Sequence, residues 1–308
     1  MAFYLKQDET VAESIKRICK EQIAKAIDEI EDKSLARETT VHQIRKRCKK
    51  IRGVTRLVRP HMEKTYQTEN AWFREMARLF SGLRDADVFI DAYDETMEYF
   101  AEQVERPEFA SIRRGLTLLR QHRLEQENDI GERLATFKKK AEEARDRIGD
   151  WPLKNSNAYG MLRSGLLKTY KRGRKAMENA YANPSPAAFH EWRKRVKYHR
   201  YHLRLLGRAW SPVVLKSWTE AKKLSDLLGD DHDLAELQRT LLEADHGFGK
   251  NRTVNAFLGL LEQRRRMLQT ESYFLGLRIY AEKPKALGRR FQIYWNAWHA
   301  EHDAEPIR

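Results

Sequence analysis

Only two cysteines, Cys19 and Cys48, occur in 308 residues, which excludes a disulfide framework and leaves a Cys-based zinc site without ligands. Both are expected to be small buried thiols. Eight prolines and 15 glycines are too few for a loop-rich fold, and favour helices. No apolar run approaches the roughly 20 residues that a bilayer span needs. The N-terminal MAFYLKQDET lacks a basic n-region followed by an apolar h-region. A cytoplasmic protein with no membrane partner is therefore expected. Neither G-x-x-x-x-G-K-[ST] nor G-x-G-x-x-G is present, which argues against nucleotide chemistry of the P-loop or dinucleotide type.

What is abundant is positive charge: 59 Lys and Arg against 45 Asp and Glu give a formal charge of +14, and an anionic partner is the first expectation. The charge is concentrated in a stretch that occurs twice, VHQIRKRCKKIRGVTRLV at 41–58 and FHEWRKRVKYHRYHLRLL at 189–206. At about 100° per residue, His42, Arg45, Lys46, Lys49, Arg52 and Arg56 fall in one helical arc of about 120°. His190, Arg193, Lys194, Lys197, Arg200 and Arg204 repeat that arc. Ile44, Cys48, Ile51, Thr55 and Val58 form the neighbouring apolar arc, matched by Trp192, Val196, His199, Leu203 and Leu206. A solvated basic face usually carries acidic partners four residues away. The first copy has no acidic residue and the second only Glu191.

Along the chain, Val11, Ile15, Ile18, Ile23 and Ile27 predict a first helix from about Thr10 to Ile30. Thr39 or Thr40 is expected to cap the basic helix, which Pro60 is expected to end or bend. A helix over 71–83 follows, and Asp85 or Asp87 is expected to cap the next one, through Phe100. Beyond Pro107 a single long polar helix is expected to reach about Ile148. The connection at 149–157 marks a midpoint, after which the pattern restarts. A basic helix at 161–182 and the second basic copy are followed by a helix over 213–228 and then by Asp231-His232-Asp233-Leu234, echoing Asp85-Ala86-Asp87-Val88. In both halves the Asp-x-Asp segment comes some forty residues after the motif histidine. Two final helices are expected over 251–280 and 284–299. The fold class is all-α: two pseudosymmetric helical bundles, about 1–150 and 151–308, around a basic central groove or pore.

A stripe from His42 to Arg56 is about 21 Å long at 1.5 Å per residue, longer than one phosphate group needs and suited to a linear polyanion. Two such helices side by side would repel one another unless water or an anion separates them. Single-stranded nucleic acid is the rival ligand. It would call for aromatic rings along the stripe, and the first copy has none between His42 and Arg59. A metal-assisted phosphohydrolase using the Asp-x-Asp pairs is the rival activity; helix capping explains those acids more simply, with ion pairing to the arginines of the repeated motif as a second structural role. His199 and His202, like His299 and His302, have ligand-like spacing but no third and fourth partners. No catalytic residue, metal or cofactor is expected.

The doubled His-x-x-Arg-Lys-x-x-Lys-x-x-Arg helix, from His42 and from His190, each with its downstream Asp-x-Asp-hydrophobic segment, resembles the conserved histidine α-helical domain (CHAD) family. The resemblance covers the whole chain as one such domain of two repeats. It implies an all-helical fold whose basic central surface binds inorganic polyphosphate, often directing proteins to polyphosphate granules. Some members carry an N-terminal triphosphate-tunnel domain; with no room for one here, none is expected, and no enzymatic activity is expected to carry over. Gly53 departs from a good helix former at a cost of about 1 kcal/mol relative to Ala, and Tyr198, His199 and His202 make the second copy more aromatic.

Overall fold

A computed structural model describes residues 3–80, 85–126, 129–243 and 247–303, apart from the side chains at 85, 86, 126, 302 and 303. All regular structure in these residues is helical. The first half contains α1 (Val11–Glu31), α2 (Arg37–Val58), α3 (Glu63–Arg78), α4 (Asp85–Tyr99), α5 (Ala110–Gln126) and α6 (Ile130–Gly149). After an extended connection come α7 (Gly160–Ala182), α8 (Pro186–Leu205), α9 (Ser211–Glu243), α10 (Asn251–Ile279) and α11 (Pro284–Asp303). No helix is long and apolar enough to cross a membrane among the described residues.

The helix starts obey local chemistry unevenly. Thr10 caps α1 reciprocally: its hydroxyl accepts from the Glu13 N–H, and the Glu13 carboxylate accepts from the Thr10 N–H. Ser185 caps α8 by accepting from the Ala188 N–H, with Pro186 opening the helix. The expected Thr39 or Thr40 cap of α2 is not formed. The helix starts earlier, after Ala36 with no side-chain cap, and the buried Thr40 hydroxyl donates to the carbonyls of Ala36 and Glu29, both at 3.3 Å. The single long helix expected before the midpoint is two, α5 and α6. The helix expected over 71–83 starts at Glu63 and ends at Arg78; 81–84 lie outside the described residues.

Helix α2 is central, packing on α1, α3, α7 and α8. Its apolar arc is buried as expected: Ile44, Cys48, Ile51, Thr55 and Val58 on α2, and Trp192, Val196, His199, Leu203 and Leu206 in the second copy. Both cysteines are buried and free. The apolar interior does not divide at the midpoint. One core joins α1, α2, α6, α7, α8 and α11, while a second joins α4 and α5 of the first half to the end of α9 and to α10. Each core therefore draws on both halves.

Two glycines set how closely α2 is approached. A Cβ on Gly53 would lie 2.7 Å from Cδ2 of Tyr201, the residue at the corresponding position of the second copy, so the helices cross where their equivalent positions meet. Gly53 is thus required by packing rather than a flaw in the helix. A Cβ on Gly165 of α7 would lie 1.8 Å from the carbonyl oxygen of Leu57, a backbone atom that no rotamer change can move. Gly165→Ala is expected to force α7 off α2 and cost about 1–3 kcal/mol or more. Urea unfolding checks this; a loss below about 0.5 kcal/mol would show that the crossing has slack.

Candidate functional site

The crossing of α2 and α8 brings the two basic stripes into the walls of two adjoining cavities. Arg45 and Lys49 from α2 and Arg193 and Lys197 from α8 line both. They occupy corresponding positions in the two copies, and Tyr201 and Asp233 are shared as well. The cavity on one side has a volume of about 400 Å³ and adds Arg52, Lys194 and His190, with Arg74 and Arg78 from α3 and His232 from α9. Among the described residues its lining holds eight Lys and Arg side chains and one carboxylate, Asp233. The other cavity, about 330 Å³, adds His42, Lys46 and Arg200, balanced by Asp226, Asp230 and Asp233 from α9.

Ten of the twelve residues read from the repeated stripe line these cavities. Arg56 and Arg204, at the C-terminal ends, do not. The Arg56 guanidinium lies 4.2 Å from the Tyr198 ring centroid and donates to the Tyr66 hydroxyl, and Arg204 lies 4.9 Å from the Trp218 ring. Both are cation–π contacts, which hold an arginine in place without neutralising it. Some stripe cations already have partners: Arg45 donates to the Phe80 carbonyl at 2.7 Å, Lys194 pairs with Glu191, and Arg200 reaches Asp226 at 3.4 Å. Arg47, shared by the repeats but off the stripe, is bound by Glu29.

Crowding of cations on and beside the stripe of α2 shows in the protonation of Lys46, which lines the smaller cavity, and of Lys50, which lines neither. Burial, with Arg47, Lys46, Lys25 and Arg200 nearby, pushes the Lys50 ammonium down to about 8. Burial and Arg47 lower Lys46 in the same sense. Such groups are relieved by an anion that restores what burial and like charges remove.

Histidine behaves differently at each position. His199 and His202 are buried, and burial pushes them down to about 4 and about 3. His202 donates from Nε2 to the Gly53 carbonyl at 3.0 Å, so both are packing groups. His190 faces the cavity, where its Nδ1 lies 3.3 Å from Nδ1 of His232. His232 was not singled out from the sequence, although it replaces the alanine of the first Asp-x-Asp segment. Arg74 and Arg78 lie on the polar face of α3, outside the repeated stripe, and their four-residue spacing is their signal in the sequence.

The capping role expected for the Asp-x-Asp acids fails in the second half. Helix α9 runs unbroken from Ser211 to Glu243, so Asp231 lies in mid-helix, where it binds Arg265 and Gln269 of α10 rather than an arginine of the repeated motif. In the first half α4 does begin at Asp85, whose side chain lies outside the described residues, and Asp87 accepts from Arg120 rather than capping. Among the described residues no group of three or more His, Cys, Asp or Glu side chains is placed to hold a metal ion.

Sequence comparison agrees with this arrangement. No curated protein matches the chain. The family model described as the CHAD domain matches residues 17–242, from within α1 to the end of α9, leaving α10 and α11 beyond it. With both basic helices and both Asp-x-Asp segments inside that match, the chain belongs to the CHAD domain family.

Proposed function

We propose that the protein binds inorganic polyphosphate in the two adjoining cavities, and is recruited through it to polyphosphate granules. The observation that carries this reading is the convergence of Arg45, Lys49, Arg193 and Lys197 on both cavities. A chain of repeating phosphates can occupy both at once and meet the high density of positive charge in their walls. Orthophosphate reaches only a part of them. Membership of the CHAD family supports the same ligand class.

Two features favour polyphosphate over single-stranded nucleic acid. The aromatic residues lining the larger cavity, Tyr198 and Tyr201, come from one helix only, and their rings are already engaged, by Arg56 and by the approach of Gly53. Base stacking needs a free ring face. We further read the site as a binder rather than a hydrolase, because Asp231 and Asp87 are committed to Arg265 and Arg120. The deciding experiment is a competition titration of long-chain polyphosphate, single-stranded RNA and duplex DNA at matched phosphate and salt, with orthophosphate release followed in parallel. Polyphosphate is expected to win by at least about tenfold and to be recovered intact. Equal displacement by RNA, or steady release of orthophosphate by purified protein with Mg²⁺, would refute the respective part of the reading.

A further inference from the structure

We propose that His190 and His232 form a proton-sharing pair that takes up one further proton when the polyanion enters the cavity, making His232 part of the binding site. This rests on the polyphosphate reading of the same cavity. The geometric basis is the Nδ1 to Nδ1 approach of 3.3 Å, with ring centroids 4.3 Å apart. Two Nδ1 atoms facing each other can bond only if one carries a proton and the other a lone pair. In the free protein one ring is therefore the Nδ1–H tautomer and donates, and the other is the Nε2–H tautomer and accepts. The donor ring's Nε2 keeps an unused lone pair. A proton added there leaves the Nδ1 bond intact and turns the pair into a monocation with both Nε2–H groups in place.

The surroundings decide when that proton is taken. From α8 come Arg193, Lys194 and Lys197 and the carboxylate Glu191; from α9 come Asp233 and Glu236. Helix α2 sends Arg45, Lys49 and Arg52 and α3 sends Arg74 and Arg78, whereas among the described residues α4 presents Val88 to the cavity. On the far side of α9, Arg265 of α10 is bound to Asp231. Cations dominate this list. Burial and then Arg193, His190, Lys197 and Lys49 hold His232 down to about 3, and burial with Lys194 and Arg193 lowers His190. In the free protein this field favours the neutral form of both rings. A bound polyanion reverses the sign of the local field, so the pair's affinity for a proton rises.

The linkage has a definite sign. The group titrates low when free and higher when loaded, so binding strengthens as pH falls through the loaded value and is independent of pH above it. Two competing acceptors line the neighbouring cavity, the imidazole of His42 and Asp230, whose carboxyl is raised to about 6 by burial and by Glu95, Asp233 and Asp226; neither is changed in His232→Asn or His190→Asn, so the difference between parent and variants isolates the pair. Calorimetric titration of long-chain polyphosphate into the full chain at pH 6.5, in buffers of different ionisation enthalpy, counts the protons taken up. Uptake is expected to be about one proton higher in the parent and in Asp230→Asn than in His232→Asn or His190→Asn. Histidine ¹⁵N spectra of the unsubstituted protein, before and after polyphosphate, should show the pair passing from neutral to cationic, independently of any variant. Binding with equal uptake in parent and His232→Asn, or rings that stay neutral when loaded, would overturn the inference while leaving polyphosphate binding standing. A protein that does not bind polyphosphate at all would overturn the proposed function, and this coupling with it.

Discussion

Replacing Arg45, Lys49, Arg193 and Lys197 together by Gln is expected to weaken polyphosphate binding by about 100-fold at about 0.15 M salt. These four line both cavities, so no position of the chain avoids them. Each phosphate contact contributes roughly 0.7–0.9 to the slope of log affinity against log salt, and four lost contacts should flatten that slope by about 3. Stability should change little. Gln at position 45 gives up the bond to the Phe80 carbonyl, worth about 1 kcal/mol, while the relief of repulsion among neighbouring cations works in the opposite direction. The matched control is Arg56→Gln with Arg204→Gln, which removes stacked arginines outside the cavities and should cost well under tenfold. If the control weakens binding as much as the quadruple variant, the ligand follows the helices to their C-terminal ends and the cavities are not its seat. A quadruple variant that binds like the parent would leave the stripe as scaffold.

The residues of that test were legible in the sequence because a helix has a fixed period and the stripe was written twice. Periodicity gives the face on which Arg45, Lys49, Arg193 and Lys197 lie, and the apolar arc beside them says which face is buried. Periodicity is silent on what the other end of a side chain meets. Arg56 and Arg204 have the same helical phase as Lys49 and Lys197, yet they end on Tyr198 and Trp218, because those rings arrive through the packing of α8 and α9. Gly53 reads as a weak point of its helix until Tyr201 is seen against it. His232 gains its meaning only from His190, which lies far away in sequence and on another helix.

The same limit explains α9. Gly229 followed by Asp230 and Asp231 looks locally like the end of one helix and the cap of another, and a local reading assigns the acid to the nearest backbone N–H groups. The true partner of Asp231 is Arg265, which no local rule can find. A long-range ion pair takes the carboxylate, the helix continues, and its consecutive residues divide the labour: His232 and Asp233 line the cavity while Asp231 secures the back of the same helix to α10. The rigid wall that presents His232 to His190 depends on this attachment.

Asp231→Ala is accordingly expected to destabilise the protein by about 3–5 kcal/mol, the usual consequence of leaving a buried charge without its partner. Side-chain exposure is 1% for Asp231 and 9% for Arg265. Their contact is 3.1 Å, and Gln269 donates to the same carboxylate oxygen at 2.8 Å. Without Asp231, Arg265 keeps Gln238 at 2.9 Å, a neutral amide, and a longer ion pair with the half-exposed Glu262 at 3.7 Å, which offsets its charge only in part. Burial nevertheless raises the Asp231 carboxyl above its ordinary range against the opposing pull of Arg265 and Gln269, so the desolvation of the pair is not fully offset by the attraction within it. Replacing both partners by apolar groups of similar volume, Asp231→Leu with Arg265→Met, should therefore restore most of what the single substitution loses. Urea unfolding of the parent, the two single variants and the double variant measures the coupling directly, provided the m-value is unchanged. Polyphosphate affinity of the double variant should stay within about threefold of the parent, since neither residue lines a cavity and the only task of the pair is to hold α9 against α10. A single variant that loses less than about 1 kcal/mol, or a double variant no more stable than the single, would mean that Asp231 is not what anchors the wall.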